Sequence, residues 1–213
     1  MSSNDYQPKL IYLARRPPGL DRAEFTSRWR QHGALGMSMP RWRNIARYLH
    51  CDVDPATPSH DGVGMIWHRS VEARHAHIAD RSSRGAMESD ERATFAEPIV
   101  QCCLLTRERV LLAPPPPTDA ACKLVRVISE LADGHCVEAL AGLADAGLQP
   151  LGLVNNLPLP PDQVEAWGIR CKQVEEWWFG SRTSALQALQ WLADRFPDTG
   201  ICLLTNEVEL YRG

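Results

Sequence analysis

The segment RWRQHGAL, residues Arg28–Leu35, places a histidine one residue before the glycine that should end a helix. Phe25, Trp29 and His32 are spaced i, i+4 and i+7, which puts His32 on the apolar side of that helix. The negative end of a helix dipole favours imidazolium, whereas burial favours the neutral ring. Either state leaves an acid or a base that titrates near neutrality. The alternative is that His32 only caps the helix or packs beside Trp29.

The composition limits the class of protein. With 213 residues, 44% of them hydrophobic, the chain can bury a substantial core as one large domain or as two smaller ones. A formal charge of -3 provides no basic excess for nucleic acid, and no segment is apolar enough for a membrane helix. Seven cysteines without a CxxC pair indicate reduced thiols. We therefore expect a cytoplasmic protein that binds neither nucleic acid nor membrane.

The chain contains an internal repeat around a proline-rich linker. Four consecutive prolines in APPPPTDAA, residues Ala113–Ala121, exclude a helix or a central strand there and predict a stiff connection. Lys9–Gly33 aligns without a gap with Lys123–Gly147, VGMIWHRS is similar to VEEWWFGS, and CLLTRE is similar to CLLTNE. The repeat predicts a duplication with a first domain at 1–113, a linker at 114–120 and a second domain at 121–213.

Local patterns place the elements that must position His32. Strand-like apolar runs occur at Leu10–Ala14, Arg47–Cys51, Val63–His68 and Val100–Leu112. Asp21 and Glu24 form a capping box that begins one helix, and Ser70 or Val71 begins another. The order β-α-β-β-α-β, present twice, predicts an α+β fold of two tandem ferredoxin-like βαββαβ domains. Packed sheet to sheet, the two copies should close a barrel-like core whose interior holds a ligand.

Four segments resemble an EthD domain, a branch of the dimeric α/β-barrel superfamily: KLIYLARRPPGLDRAEFTSRWRQHG, DGVGMIWHRS, ESDERATFAEP and CLLTRE. The resemblance covers nearly all of Lys9–Leu112, and the second copy is similar more weakly, through EEWWFGS. It implies that the two copies form an intrachain dimeric α/β barrel. It also implies relatives that are small, often metal-free enzymes or accessory proteins of aromatic, ether and polyketide metabolism.

The methylmuconolactone methylisomerases of this family imply two site residues. Their histidine at the end of the first helix and their tyrosine on the second strand correspond to His32 and Tyr48. Their cysteine on the third strand is replaced here by Ile66, and the proline that many relatives have after the HG pair is replaced by Ala34. The resemblance therefore implies a histidine and tyrosine pair, whereas the isomerase's own reaction does not carry over.

Strand alternation adds neighbours to this pair. Tyr48 and His50 share one face of their strand, and Ile66 and His68 share one face of theirs. Histidines around a tyrosine in an apolar chamber suit proton transfer, although each strand histidine can instead be a packing or rim residue. We list as candidate catalytic residues His32, Tyr48, His50 and His68, and as candidate substrate-binding residues Trp29, Ile66, Arg15 and Trp177.

The leading hypothesis is an enzyme that needs no cofactor and no metal. It is a lyase, isomerase or decarboxylase that acts on a small aromatic or lactone-like acid, with Arg15 able to bind the carboxylate. The replacement of His32 and His68 by Ala146 and Phe179 in the second copy favours a functional role in the first. The alternatives are a binding or accessory protein for an oxygenase system, and a haem-binding or cofactor-free monooxygenase. The partner in each case is a small molecule, and we expect a monomer or a homodimer.

Overall fold

The computed structural model describes residues 6–116, 121–130, 135–159, 168–197 and 200–213. Within these ranges the strands β1 to β8 are Pro8–Ala14, Ile45–Val53, Gly62–His68, Cys103–Leu112, Cys122–Ile128, Gly152–Pro158, Gln173–Phe179 and Gly200–Arg212. The helices α1 to α5 are Arg22–Ser38, Val71–Ala79, Arg84–Thr94, His135–Asp145 and Arg182–Arg195. Short 3-10 helices at Pro40–Asn44 and Ile99–Gln101 precede β2 and β4. None of these helices is long and apolar enough to cross a membrane.

The eight strands form a closed antiparallel barrel in the order β1-β3-β2-β8-β5-β7-β6-β4. The strands of each half of the chain are neighbours, and the halves join where β2 pairs with β8 and β4 pairs with β6. The predicted α+β barrel is therefore confirmed, whereas its division into two ferredoxin-like domains stays a prediction. Part of the predicted linker, 117–120, lies outside the described residues.

Side-chain caps begin the helices where the sequence predicts them. Asp21 accepts a hydrogen bond from the backbone N–H of Glu24, and the Glu24 carboxylate accepts one from the N–H of Asp21, each at 2.8 Å. Ser70 Oγ accepts from the N–H of Ala73 at 3.1 Å at the start of α2. Ser181, which aligns with Ser70 in the repeat, caps α5 in the same way. The two helices that follow β3 and β7 thus begin at equivalent positions.

The prediction that α1 ends at Gly33 is wrong, because the helix continues beyond it. Gly33 has an ordinary helical backbone, and a Cβ there would lie 3.0 Å from Leu210 Cδ1 and 3.2 Å from Tyr48 Cε1. The glycine is required for the close approach of the helix to the sheet, not for a turn. His32 therefore lies inside the helix, and the dipole of a helix end does not act on it. The aligned Gly147, with a φ of 73°, does follow the end of α4.

Side chains fill the barrel interior, where the sequence analysis placed a ligand. Alternate residues of each strand point inward, and the apolar ones form one cluster that includes Ile11, Met65, Trp67, Val125 and Leu203. The residues between them point outward, to the helices. Because the cavity lined by His32 and Tyr48 lies on that outer face, the prediction of a ligand chamber between the sheets is wrong.

A buried ionic network crosses the interior. Glu176 accepts hydrogen bonds from the ammonium groups of Lys9 and Lys123, the second at 2.6 Å. Each lysine also pairs with a carboxylate of its own half, Lys9 with Glu108 at 2.9 Å and Lys123 with Glu207 at 2.6 Å. Burial raises the pKa of Glu176, but the two ammonium groups outweigh it and hold that pKa far below its ordinary value. The carboxylate is therefore charged and binds one lysine from each half.

We predict that Glu176→Ala lowers the free energy of unfolding by roughly 3–5 kcal/mol, because it leaves two buried cations without their shared anion. Urea denaturation followed by circular dichroism measures this change. The matched control is Glu138→Ala, which removes an exposed partner of Arg195 and should cost less than about 1 kcal/mol. Equal effects of the two substitutions would contradict a stabilising role for the network.

Candidate active site

A cavity of about 510 Å³ lies between the outer face of the first-half strands and the helices α1 and α3. Its wall is mostly apolar, with Leu10, Trp42, Ile66, Met87, Ile99 and Cys103. Nine polar or ionisable side chains also line it, and those used below are Tyr12, His32, Arg41 and Tyr48. A cavity of this size with a largely apolar wall is typical of a small-molecule site.

An aspartate of α3 orients His32. The Nδ1 of His32 lies 2.7 Å from a carboxylate oxygen of Asp90, and the other oxygen of Asp90 accepts a hydrogen bond from Arg28. Since an ionised carboxylate can only accept, Nδ1–H is the donor and, in the neutral ring, Nε2 keeps its lone pair. The ring packs edge-on against Phe95 at 5.1 Å between centroids. His32 is therefore held in the tautomer of a base, on the wall of the cavity.

The environment keeps this base neutral. Burial lowers the pKa of His32, and its hydrogen bond to Asp90 offsets the effect only in part. Burial raises the pKa of Asp90, but the hydrogen bonds from Arg28 and His32 outweigh it and hold that pKa below its ordinary value. At neutral pH the pair is thus a neutral imidazole and a carboxylate. Such an imidazole can accept a proton, and the carboxylate then stabilises the imidazolium.

A second hydrogen-bonded chain reaches the cavity from the other side. Arg30 binds both oxygens of Asp52, at 2.7 and 2.6 Å, and donates to Nδ1 of His50. Because a guanidinium only donates, Nδ1 accepts and Nε2–H of His50 donates to the hydroxyl of Tyr48 at 2.6 Å. The Tyr48 and Tyr12 hydroxyls lie 2.9 Å apart. Burial, followed by the charge of Arg30, keeps the pKa of His50 well below its usual value, so this ring is neutral.

The two phenols in this series of hydrogen bonds have two O–H groups, but only one of these groups has an acceptor within the series. Tyr12 also accepts from Nε1–H of Trp29 at 2.9 Å, and the two phenols share a single mutual hydrogen bond. One of the two phenolic O–H groups is therefore left for a ligand, and both side chains line the cavity. Burial raises the pKa of Tyr48 and of Tyr12, so both phenols stay protonated. A hydrogen-bond donor is thus available from side chains that line the same cavity as the base.

Two glycines of β3 make room for this arrangement. Gly64 lies between Tyr12 of β1 and His50 of β2 in the strand register, and a Cβ there would overlap the Tyr12 ring at 2.0 Å. A Cβ at Gly62 would overlap the Trp29 ring at 2.2 Å. The G-x-G pattern on one strand face is therefore the sequence signal for large aromatic rings that cross this strand.

The structure brings five of the predicted site residues together. His32, Tyr48 and Ile66 line the cavity. His50 lies behind Tyr48 and stacks on Trp29, with ring centroids 3.7 Å apart and an interplanar angle of 10°. Both of these rings are buried, and their contacts orient the two phenols. Their position agrees with support of the site more than with direct contact with a substrate.

Three predicted residues lie elsewhere. His68 is buried on the same face as Ile66, but its Nδ1–H donates to the carbonyl of Pro8 at 3.3 Å and its ring is absent from the cavity wall. Arg15 is exposed and donates to the carbonyl of Ser59 at 3.2 Å. Trp177 is fully buried in the second-half core, and its Nε1–H donates to Glu175. We therefore leave these three out of the proposed site.

Sequence reasoning missed Tyr12, Asp90, Arg30 and Arg41. Tyr12 alternates with the apolar inward residues of β1, so its outward direction was readable from the pattern, although its partner was not. Asp90 is 58 residues from His32, and no local spacing indicates that contact. Within the described part of the chain, no three histidine, cysteine, aspartate or glutamate side chains are grouped so that they could hold a metal ion.

A closed barrel of eight antiparallel strands with its helices outside defines the dimeric α/β-barrel fold. An anthrone oxidase-like protein of known structure has this fold, with a TM-score of 0.59 at 11% identity over 98% of this chain and 95% of that one. A cyanide-bound variant of chlorite dismutase from Candidatus Nitrospira defluvii superposes with a TM-score of 0.51 at 7% identity over 96% and 92%. At these identities the likeness shows the fold alone. No curated protein sequence matches this chain.

The family model of the EthD domain matches residues 17–99, which lie in the first half of the chain. The match begins before α1 and ends in the 3-10 helix that precedes β4. It therefore includes His32, Tyr48 and Asp90, and it confirms the resemblance recognised from the sequence.

We predict that the His32 ring titrates with a midpoint below about 6.5, the ordinary value for histidine. Asp90→Asn removes the carboxylate that raises the pKa of His32, so the midpoint should fall further. The ring chemical shifts of His32, followed by NMR against pH, give both values. Asp194→Asn, which removes a distant exposed carboxylate, should leave the His32 curve unchanged. A midpoint that Asp90→Asn does not move would show that the two groups are uncoupled.

Proposed function

We propose that this protein is a cofactor-independent lyase, isomerase or decarboxylase that acts on a small aromatic or lactone-like acid. The observation that carries the proposal is the pairing, in one cavity, of an Asp90-oriented neutral imidazole with a phenolic O–H that has no internal acceptor. The base can remove a proton from carbon next to a carbonyl, while the donor stabilises the oxygen on which negative charge develops.

Each step of such a reaction can be assigned to a side chain. Nε2 of His32 takes the proton, and the electron pair of the broken C–H bond moves to the carbonyl oxygen to give an enolate. The oxygen accepts a hydrogen bond from Tyr48 or Tyr12, and Asp90 stabilises the imidazolium. Return of the proton to a different carbon completes an isomerisation, whereas loss of a β-substituent from the enolate completes elimination. General acid–base catalysis of this kind contributes roughly 10²–10⁴-fold to a rate.

The supporting residues have separate roles. Arg30 fixes the tautomer of His50, and His50 fixes the hydroxyl of Tyr48. Trp29 donates a hydrogen bond to the hydroxyl of Tyr12. That hydroxyl can still either donate to Tyr48 or accept from it. Ile66 provides apolar wall next to Tyr48 in place of the cysteine of the isomerases. The site thus supports proton transfer without a thiol on β3.

A second candidate is a cofactor-free monooxygenase, in which the same deprotonation is followed by reaction of the carbanion with O₂. The same base and donor would serve that first step, and the anthrone oxidase-like neighbour has the same fold. Oxygen uptake that depends on substrate separates this candidate from the first. An absorption spectrum of the purified protein tests the haem alternative, in which Nε2 of His32 or of His77, both on the cavity wall, would bind the iron.

We also propose that the chain arose as a tandem of two ferredoxin-like domains at 1–113 and 121–213, joined by the linker 114–120. The same strand order in both halves and the equivalent caps Ser70 and Ser181 support this division. The pairing of β2 with β8 and of β4 with β6 then replaces the interface that two separate chains would form.

We predict that the protein catalyses exchange of substrate C–H protons with D₂O, and that His32→Gln lowers the exchange rate at least about 10²-fold. Glutamine can still donate to Asp90 but cannot accept a proton, so the melting temperature should change little. Mass spectrometry measures the exchange on a panel of γ-lactone acids and acyl-substituted aromatic acids, in which the acidic C–H lies next to a carbonyl that is remote from the carboxylate. The control is His75→Gln, the same change at an exposed histidine, which should exchange like the wild type. The rate should also fall as the pH drops below the His32 midpoint.

We predict a different pattern for the phenols. Tyr48→Phe frees the Tyr12 hydroxyl to donate in its place, and Tyr12→Phe frees Tyr48 in the same way. Each single variant should therefore lose less than the double variant, for which we expect a loss on the order of 10²–10³-fold. The same exchange measurement tests this. Single variants as inactive as the double variant would contradict the interpretation that the two phenols share one O–H group available to a ligand.

A further inference from the structure

Arg41 presents a half-buried guanidinium to the wall of the cavity. It also lines an adjoining polar cavity of about 420 Å³, which opens among α2, α3 and the loop between them. The two cavities share Arg41, His77, Arg84, Met87, Glu88 and Glu91. Arg41 therefore lies at the junction between an apolar space and a polar one.

This guanidinium has no partner among the residues that the structure describes. The two carboxylates near enough to affect it are engaged elsewhere: Glu91 accepts from the backbone N–H of Ile99 at 2.7 Å, and Asp80 accepts from the hydroxyl of Ser82 at 2.5 Å. Burial lowers the pKa of Arg41 more than these two charges raise it. Since a guanidinium stays protonated in proteins, a partly desolvated cation faces the cavity, and no carboxylate of the described residues is hydrogen-bonded to it.

The backbone of Arg41 is fixed before any ligand binds. It belongs to the 3-10 helix that begins at Pro40, whose ring restricts φ. The carbonyl of Arg41 accepts hydrogen bonds from Nδ2 of Asn44 at 3.1 Å and from Nδ1–H of His77 at 3.2 Å. Binding an anion therefore needs only side-chain ordering, which lowers the entropic cost.

We infer that Arg41 binds the carboxylate of the ligand, and that the ligand is an aromatic or lactone-like monocarboxylate whose ring fills the apolar part of the cavity. The fork of N–H groups on a guanidinium matches the two oxygens of a carboxylate. A single negative charge fits because the neighbouring cation of the junction, Arg84, already pairs with Glu88. Arg41 thus takes the role that the sequence analysis gave to Arg15.

This assignment rests on the proposed function for the reaction and adds the orientation of the substrate. With the carboxylate at the junction, the rest of the molecule extends along Trp42 and Ile66 toward His32 and Tyr48, which line the same cavity. The carboxylate then serves for binding, and the reacting carbon lies at the opposite end of the substrate. Neutral analogues of the same shape should fit the cavity but lack the charged contact with Arg41.

Isothermal titration of the full-length protein with 6-hydroxy-2-naphthoate and with its neutral carboxamide tests the inference. We expect the acid to bind the wild type about 10-fold or more tighter than the amide, as a charge-assisted bidentate contact would give. Arg41→Gln should reduce this preference to within about 2-fold and leave the amide unchanged. The control is Arg92→Gln, which removes an exposed cation at the rim and should keep the preference.

Absence of acid binding to the wild type, equal binding of acid and amide, or a preference that survives in Arg41→Gln would overturn the assignment. Arg41→Lys keeps the positive charge but loses the paired N–H groups of the guanidinium, so we expect an intermediate preference for the acid. This variant tests the assignment in a folded protein even if Arg41→Gln is unstable. His32→Gln should keep the acid preference while it loses proton exchange. An Arg41-dependent preference without exchange in the wild type would refute the catalytic proposal alone, and exchange without the preference would refute only the role of Arg41.

Discussion

The carboxylate of Glu176, bound between Lys9 and Lys123 inside the barrel, is the contact on which the rest of the structure depends. Two lysines this close would repel each other in a dry interior, and a single anion between them satisfies both. Lys9 belongs to the first half of the chain and Lys123 is its counterpart in the second, so the contact joins the halves. With the interior packed by this network and its apolar neighbours, the described cavity lies on the outer face of the sheet, under the helices.

That location determines which side chains can line the cavity. Residues from a helix and from the strands beneath it face each other there, so His32 of α1 can be oriented by Asp90 of α3 while Tyr48 is oriented from the sheet. The base and the donor have no hydrogen bond in common, and each is fixed by its own charged group, Asp90 for the imidazole and Arg30 for the phenols. The two groups can therefore keep opposite functions at the same pH.

The sequence predicted what depends on local order. Strand alternation placed Tyr48 with His50 and Ile66 with His68, and the caps Asp21 and Ser70 were correct because capping needs only nearby residues. It failed where a residue type serves a distant contact. A glycine after His32 reads as a helix end, but its function is close packing on the sheet. The sequence analysis named Arg15 and did not consider Arg41, because only the fold shows which guanidinium lines the cavity.

The repeat shows how the two halves differ at the position of Tyr12. Tyr12 of β1 pairs in register with Gly64, and the equivalent residues Arg126 and Glu175 pair in register in the second half. In the first half the missing side chain at Gly64 admits the Tyr12 ring and its hydroxyl. In the second half Glu175 occupies that space and binds Arg126 at 2.8 Å, with Trp177 and Gln173 as further donors. One glycine thus separates a face that can offer a hydroxyl to a ligand from a face on which Glu175 fills the corresponding space and binds Arg126.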